Sequence, residues 1–387
     1  MAQAYIVEAV RTASGRRNGR LSGVHPTALA ATTLNAVIDR SGLDAASVED
    51  VIMGCVNQVG EQSTNLGRSA VLASKLPENV PAVTIDRQCG SSQQALHFAA
   101  QAVMSGSMDI VIAAGVESMS RVTMGTNLLP GSGTTPWPQP ILDRLGIAGF
   151  SQFGSAEMIA KKHGFSRAML DAYGLASHRK AKEATESGAF VDEIVPVDIV
   201  LPDGRPDRHL HDEGIRYDAS VESMAAVRLL SEEGVITAAT SSQIADGSSA
   251  VLIVSEQALK DHGLTPLARI HNLTLTAGDP VIMLEEPLFA TDRALKRAGL
   301  TIGDIDLFEV NEAFAAVPMA WLKHTSADPN RLNVNGGAIA LGHPLGSTGT
   351  KLMATLVHAL RKRGGRYGLQ TMCEGGGLAN VTIVEAL

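Results

Sequence analysis

The chain has 387 residues, 45% apolar and 19% charged, which suits two or three compact units with large cores and argues against a disordered or fibrous protein. A formal net charge of −8 and only 4% aromatic residues exclude a general binder of nucleic acid or anionic membranes. The three cysteines, Cys55, Cys89 and Cys373, are far apart and form no CxxC pair, so a disulfide framework or structural zinc site is not expected and a reducing compartment is.

The chain opens on a strand pattern, Ala4 to Val7, with no leader before it and no apolar run of membrane-spanning length. The final Glu385-Ala386-Leu387 is not a peroxisomal address. A cytoplasmic protein is the expectation. Short apolar runs follow at Val51 to Met53, Val83 to Ile85, Ile110 to Ala114, Val251 to Val254, Leu307-Phe308, Tyr367 to Met372 and Val381 to Val384. Between them, residues 93–104 and 351–360 carry apolar side chains at i, i+3 and i+4. Buried strands alternating with helices predict an α/β fold.

An internal repeat organises these elements. Asp50 to Met53 matches Asp306 to Glu309, Gly90-Ser91-Ser92 matches Gly346-Ser347-Thr348, and Leu96 falls on Leu352, all offset by 256 residues. Ala250 to Val254 echoes Ala379 to Ile383 at another offset. Two similar halves are predicted, residues 1–117 with 248–265 and residues 266–387. An inserted segment, 118–247, interrupts the first. It holds a loop-like Gly131 to Pro140 stretch, polar helices and an Asp203-Gly204 turn.

Four places can carry chemistry. Cys89 lies between a strand and a helix start, where helix dipole and open N–H groups favour a thiolate and a depressed pKa; the competing reading is a small buried apolar residue. His343 lies in the matching turn of the second half, Gly342-His343-Pro344, so stacked halves bring an imidazole toward the Cys89 thiol. Cys373 precedes Gly375-Gly376-Gly377, whose backbone N–H groups can form an oxyanion hole. Asn311 follows a strand and reads equally as a donor into a site or as a helix cap. Arg208-His209-Leu210-His211 reads as a polar loop, Arg361-Lys362-Arg363 as a solvated helix end, and Cys55 and Trp321 as packing residues.

Together the segments around Cys89, Asn311-Glu312-Ala313-Phe314-Ala315, Gly342-His343-Pro344 and Cys373 to Gly377 resemble the four active-site signatures of the thiolases, in that family's order. Val7 to Thr12 and Gly115 to Ser120 extend the resemblance over the whole chain. The resemblance implies two βαβαβαββ halves stacked as five α-β-α-β-α layers with an inserted loop domain. It implies CoA-dependent cleavage of a 3-oxoacyl-CoA through acyl-Cys89, with His343 as base and Cys373 as acid and base, its thiol tuned toward neutrality. One oxyanion hole would use His343 and a water on Asn311, the other the backbone N–H groups of Cys89 and Gly375. CoA is then a substrate, contacted by the inserted segment at Ser242, and no metal or redox cofactor takes part. Where short-chain biosynthetic thiolases show His-Met-Gly, this chain has Gln152-Phe153-Gly154, and Leu378-Ala379 replaces a more usual residue-then-glycine. The first departure points to degradation of fatty-acid or sterol-type chains rather than condensation of two acetyl-CoA, the alternative. The resemblance also implies a homodimer or homotetramer and, in some relatives, a β-oxidation multienzyme partner. Ketoacyl synthases and hydroxymethylglutaryl-CoA synthases, the nearest rivals, normally lack a second catalytic thiol. A non-catalytic CoA-binding protein would have lost the nucleophile or base.

Overall fold

The computed structural model describes residues 2–128 and 135–387, so part of the expected Gly131 to Pro140 loop lies outside the described residues. Its principal elements run, in chain order, β1 (Ala4–Thr12), α1 (Pro26–Ser41), β2 (Asp50–Gly54), α2 (Leu66–Leu72), β3 (Ala82–Ile85), α3 (Ser91–Ser105) and β4 (Ile110–Ser118). The intervening segment contributes α4 (Gln152–His163) and α5 (Arg167–Glu186). Then come β5 (Ala245–Ser255), β6 (Ala268–Ala277), α6 (Glu286–Ala298), β7 (Leu307–Val310), α7 (Ala316–Thr325), α8 (Thr348–Lys362), β8 (Tyr367–Glu374) and β9 (Leu378–Ala386). Each apolar run noted in the sequence falls inside one of these strands. The helices stop where left-handed glycines let them, as at Gly42 and Gly106.

The strands order as β7-β8-β9-β6-β1-β5-β4-β2-β3. In each half the second-entered strand pairs in parallel with the strand after the long helix, and the last strand returns antiparallel. The first half adds β3 beside β2 in parallel. In the second half its counterpart shrinks to one bridge, Leu332 on Phe308. The half-sheets join through a two-residue antiparallel pairing, Tyr5 with Arg269 and Ile6 with Ala268.

Three cores separate five layers. One packs α1 and α2 on the first half-sheet, and another packs α6 and α7 on the second. The middle core holds α3 and α8 between them, with Leu96, Ala99, Met353 and Leu356 against Ile6, Val251, Leu307 and Val384. This position explains α8, which is buried at every residue from Thr348 to Leu360. Its polar stripe is buried as well and finds partners inside the protein: Lys351 on Leu341 O, Thr355 on Glu193 and His358 on Ala9 O. The two helix starts meet closely. A Cβ on Gly349 would run into the backbone nitrogen of Gln93, and one on Gly115 into the carbonyl of Gly346. Glycine is what allows that approach.

Arg11, fully buried, ties β1 to the segment between β4 and β5. It bonds Asp212 at 2.8 and 3.0 Å and Glu193 at 2.5 Å. Trp321 packs against Phe308 and donates to Thr291 Oγ1 at 2.8 Å, a core role as expected. Cys55 is also buried.

Candidate active site

Strand β3 delivers the chain to a tight turn at residues 86–90. Gln88 takes a left-handed φ of 50°, held by its N–H donating to Asp86 Oδ1 at 2.6 Å. Ser91 Oγ accepts from Arg87 N at 2.9 Å and donates to Gln88 O at 2.6 Å. These bonds fix Cys89 one residue before the helix cap, Gly90. Cys89 is 3% exposed.

The expected depressed thiol pKa is not what this burial gives. The Cys89 thiol is pushed up to about 12, first by desolvation and then by Glu374, whose carboxyl repels the thiolate once it is ionised. The Gln152 side chain and a backbone N–H favour the thiolate, but they are outweighed. Cys373, at the end of β8 and fully buried, corrects the second expectation. Burial and the neighbouring Cys89 charge push its thiol well above the usual range rather than toward neutrality. The resting site therefore carries two protonated thiols.

His343 is equally dry, at 3% exposure, and burial brings its pKa down to about 3. Its Nδ1 lies 2.6 Å from Thr348 Oγ1. That hydroxyl donates its own proton to Pro344 O at 2.9 Å, so it accepts from His343, and Nδ1 carries the hydrogen. Nε2 is left as a lone pair, and Asn311 Nδ2 donates toward it at 3.4 Å. Asn311 itself is anchored by its backbone N–H to Thr371 O at 3.0 Å, and its buried Oδ1 has no donor among the described residues. Lys351, buried in the first turn of α8, donates to Leu341 O and Gly342 O at 2.9 and 2.8 Å and braces the His343 turn.

The structure thus joins Asn311 directly to His343, and Cys89 to Cys373 and Gln152. The two turns adjoin at Ser92, whose Oγ accepts from Thr350 N at 3.0 Å. Gly375 to Gly377 form the hairpin between β8 and β9, and Gly375 faces the Gln88 side chain. Ser242 is half-buried, with its N–H on Ala313 O at 2.9 Å, and the His343 N–H bonds Gln243 O at 2.9 Å. Phe153, half-exposed, meets Phe314 edge-on at 5.5 Å. The three residues assigned to substrate and CoA therefore border the Cys89 turn or the Asn311 segment. His209 bonds Ala13 O at 3.1 Å, and no metal-holding cluster occurs among the described residues.

Sequence reasoning passed over Thr348, Lys351, Glu312 and Glu374. Thr348 was visible as the partner of Ser92 in the repeat. Glu312 lies inside a quoted motif, yet its work is tertiary. It accepts from Tyr173, Ser177, Asn333 and the Ile339 N–H, and so fastens α5 beneath the His343 turn.

Comparison with known proteins completes the picture. Residues 4–257 match the sequence model of the thiolase N-terminal domain, and residues 264–386 that of the thiolase C-terminal domain. The chain is 50% identical over 392 residues to the steroid 3-ketoacyl-CoA thiolase FadA6 of Mycobacterium tuberculosis, covering 100% of this chain and 95% of that protein. It is 42% identical to a 3-ketoacyl-CoA thiolase of Yersinia pestis, with 100% of both covered. The crystal structure of human mitochondrial 3-ketoacyl-CoA thiolase superposes with a TM-score of 0.89 at 35% identity, over 100% of this chain and 99% of that one.

Proposed function

The chain belongs to the thiolase family, and from that premise we propose that it cleaves 3-oxoacyl-CoA substrates with free CoA, in the degradative direction. The observation that carries this reading is the fixed tautomer of His343, which leaves Nε2 as the proton acceptor in a dry site with two thiols.

His343 Nε2 takes the Cys89 proton as the sulfur adds to the 3-keto carbonyl. The C2–C3 bond then breaks, its electron pair leaving as the acetyl-CoA enolate, which Cys373 protonates. Acyl-Cys89 remains. The incoming CoA thiol gives its proton to the Cys373 thiolate and attacks the acyl carbon. Cys89 leaves and recovers its proton from His343. The 3-keto oxygen turns negative in both tetrahedral adducts and the thioester oxygen in the enolate, and we assign one oxyanion hole to His343 and Asn311 and the other to the N–H groups of Cys89 and Gly375. Two high thiol pKa values suit this cycle, because neither sulfur needs to be charged until substrate has displaced water.

We assign CoA to the inserted segment 118–247 and its Ser242, with Gln152 and Phe153 at the acyl end. No cofactor is invoked. A cytoplasmic homodimer or homotetramer, with a β-oxidation multienzyme partner, completes the proposal. The degradative choice is supported by Gln152 in place of histidine and by the names of the relatives, one of which acts on steroids. Acetoacetyl-CoA synthesis is the alternative.

The test is CoA-dependent cleavage of a panel running from acetoacetyl-CoA to long, branched and steroid-derived 3-oxoacyl-CoA, with Cys89→Ala and Cys373→Ala alongside. Preference for large acyl groups, lost in both variants, is the expected result. Preference for acetoacetyl-CoA would favour the alternative. No cleavage, with Cys89 still accepting an acyl group, would sink the reading.

A further inference from the structure

Glu374 follows Cys373, and strand alternation turns its side chain to the opposite face, toward α3. It is completely buried. Neither carboxyl oxygen has a hydrogen-bond partner among the described residues. The Asn380 N–H is turned toward it, short of a formed bond. A Cβ added to Gly90 would overlap the carboxyl group, so the acid lies against the peptide that follows Cys89. An ionised carboxylate without donors in such a place is costly, and the neutral acid is the stable form over an extended pH range.

The charged and titratable groups facing it are few. Asp86, Arg87 and Cys89 come from the turn, and Cys373 from its own strand. From α3, His97 reaches Asn380 Nδ2 at 3.2 Å and stays neutral, its pKa brought down to about 3 by burial. Gln93, Gln94 and Asn380 add only neutral amides. Arg87 and the approaching Asn380 N–H favour ionisation, and burial outweighs both.

We propose that Glu374 is a positioning residue for the Cys89 nucleophile: as a neutral acid it leaves the thiol free to ionise, and as a carboxylate it suppresses the thiolate. The link is electrostatic and needs no contact with substrate. It rests on Cys89 as the nucleophile of the proposed reaction. The two groups titrate as a pair, so the thiolate forms in two stages in the wild type and in one when the carboxyl is removed.

The experiment is the rate of Cys89 alkylation by iodoacetamide against pH in the intact protein, read by mass spectrometry of the Cys89 peptide, for the wild type and Glu374→Gln. The rates are expected to coincide at low pH and to diverge at high pH, with the variant about tenfold faster for one pKa unit of coupling. The alkaline decline of kcat/KM should move upward in the same variant. Arg87→Met, at a partly exposed position, gives an independent arm: it should postpone the wild-type break to higher pH. Superimposable alkylation profiles for all three folded proteins would overturn the proposal and leave the thiolase reading standing. Altered profiles without any 3-oxoacyl-CoA cleavage would do the reverse.

Discussion

The two halves use one scaffold position for opposite ends. Gly54 pairs with Gly115 in the first half as Val310 pairs with Thr371 in the second, the same 256-residue offset as the sequence repeat. That register sets Cys55 on Asn311 and Glu117 on Cys373. In the first half the position is a clamp. Glu117 accepts from Val56 N, both Asn57 donors, Gln62 Nε2 and Gly346 N at 2.9 to 3.1 Å, with the Cys55 thiol at 3.9 Å. In the second half Cys373 and Asn311 stand in those places with few local bonds. A satisfied polar group locks a turn, whereas an unsatisfied one stays available to a reacting molecule. The clamp also serves the other half, since the Gly346 N–H it holds ends the His343 turn. Its reciprocal, the Glu374 carboxyl beside Gly90, has no formed hydrogen bond among the described residues.

The sharpest way to break this comparison is to remove each thiol. Cys373→Ala should lower kcat by about a thousandfold if it serves as the proposed general acid and base. Cys55→Ala should leave kcat within about twofold; a comparable loss at Cys55 would mean that the halves are not divided as described. Next come the carboxyl groups. Glu117→Gln should cost about 3 kcal/mol in urea unfolding, because an amide cannot accept from five donors and its own NH2 opposes them. Glu374→Gln replaces an acid already neutral and should cost under about 1 kcal/mol.

A third contrast uses pH. His97 of the first half and His343 of the second both fall to about 3 in the folded protein. The unfolded chain binds those protons first, so stability is complete above about pH 6.5 and declines as pH falls from there toward 3. Each buried histidine should cost up to about 1.4 kcal/mol per unit in that window, read from denaturant midpoints. His97→Gln should flatten the slope without touching His343. A further contrast is Thr348→Val, which frees the Nδ1 proton of His343. A loss of about tenfold in kcat with KM little changed would match a tautomer held by one hydrogen bond; no change would mean that the ring is fixed by packing alone.

The order of elements and the doubled architecture were legible in residue order, and Cys89, Asn311, His343 and Cys373 stood out there as candidates. Strand runs, turn glycines and the repeat are properties of neighbouring residues, and short motifs keep their chemistry in the chain. The protonation states were not. A thiol beside a helix start reads as activated, and it becomes the reverse once the packed elements around it exclude water. Thr348, Lys351, Glu312 and Glu374 escaped for a related reason: their partners lie on other elements or, for Glu374, fail to arrive. The sequence by itself determined the order of the elements and which groups are the candidates for the site. Only the tertiary structure decided which of them are dry, which are satisfied and which tautomer each holds, because desolvation and hydrogen bonding depend on what packs around a group.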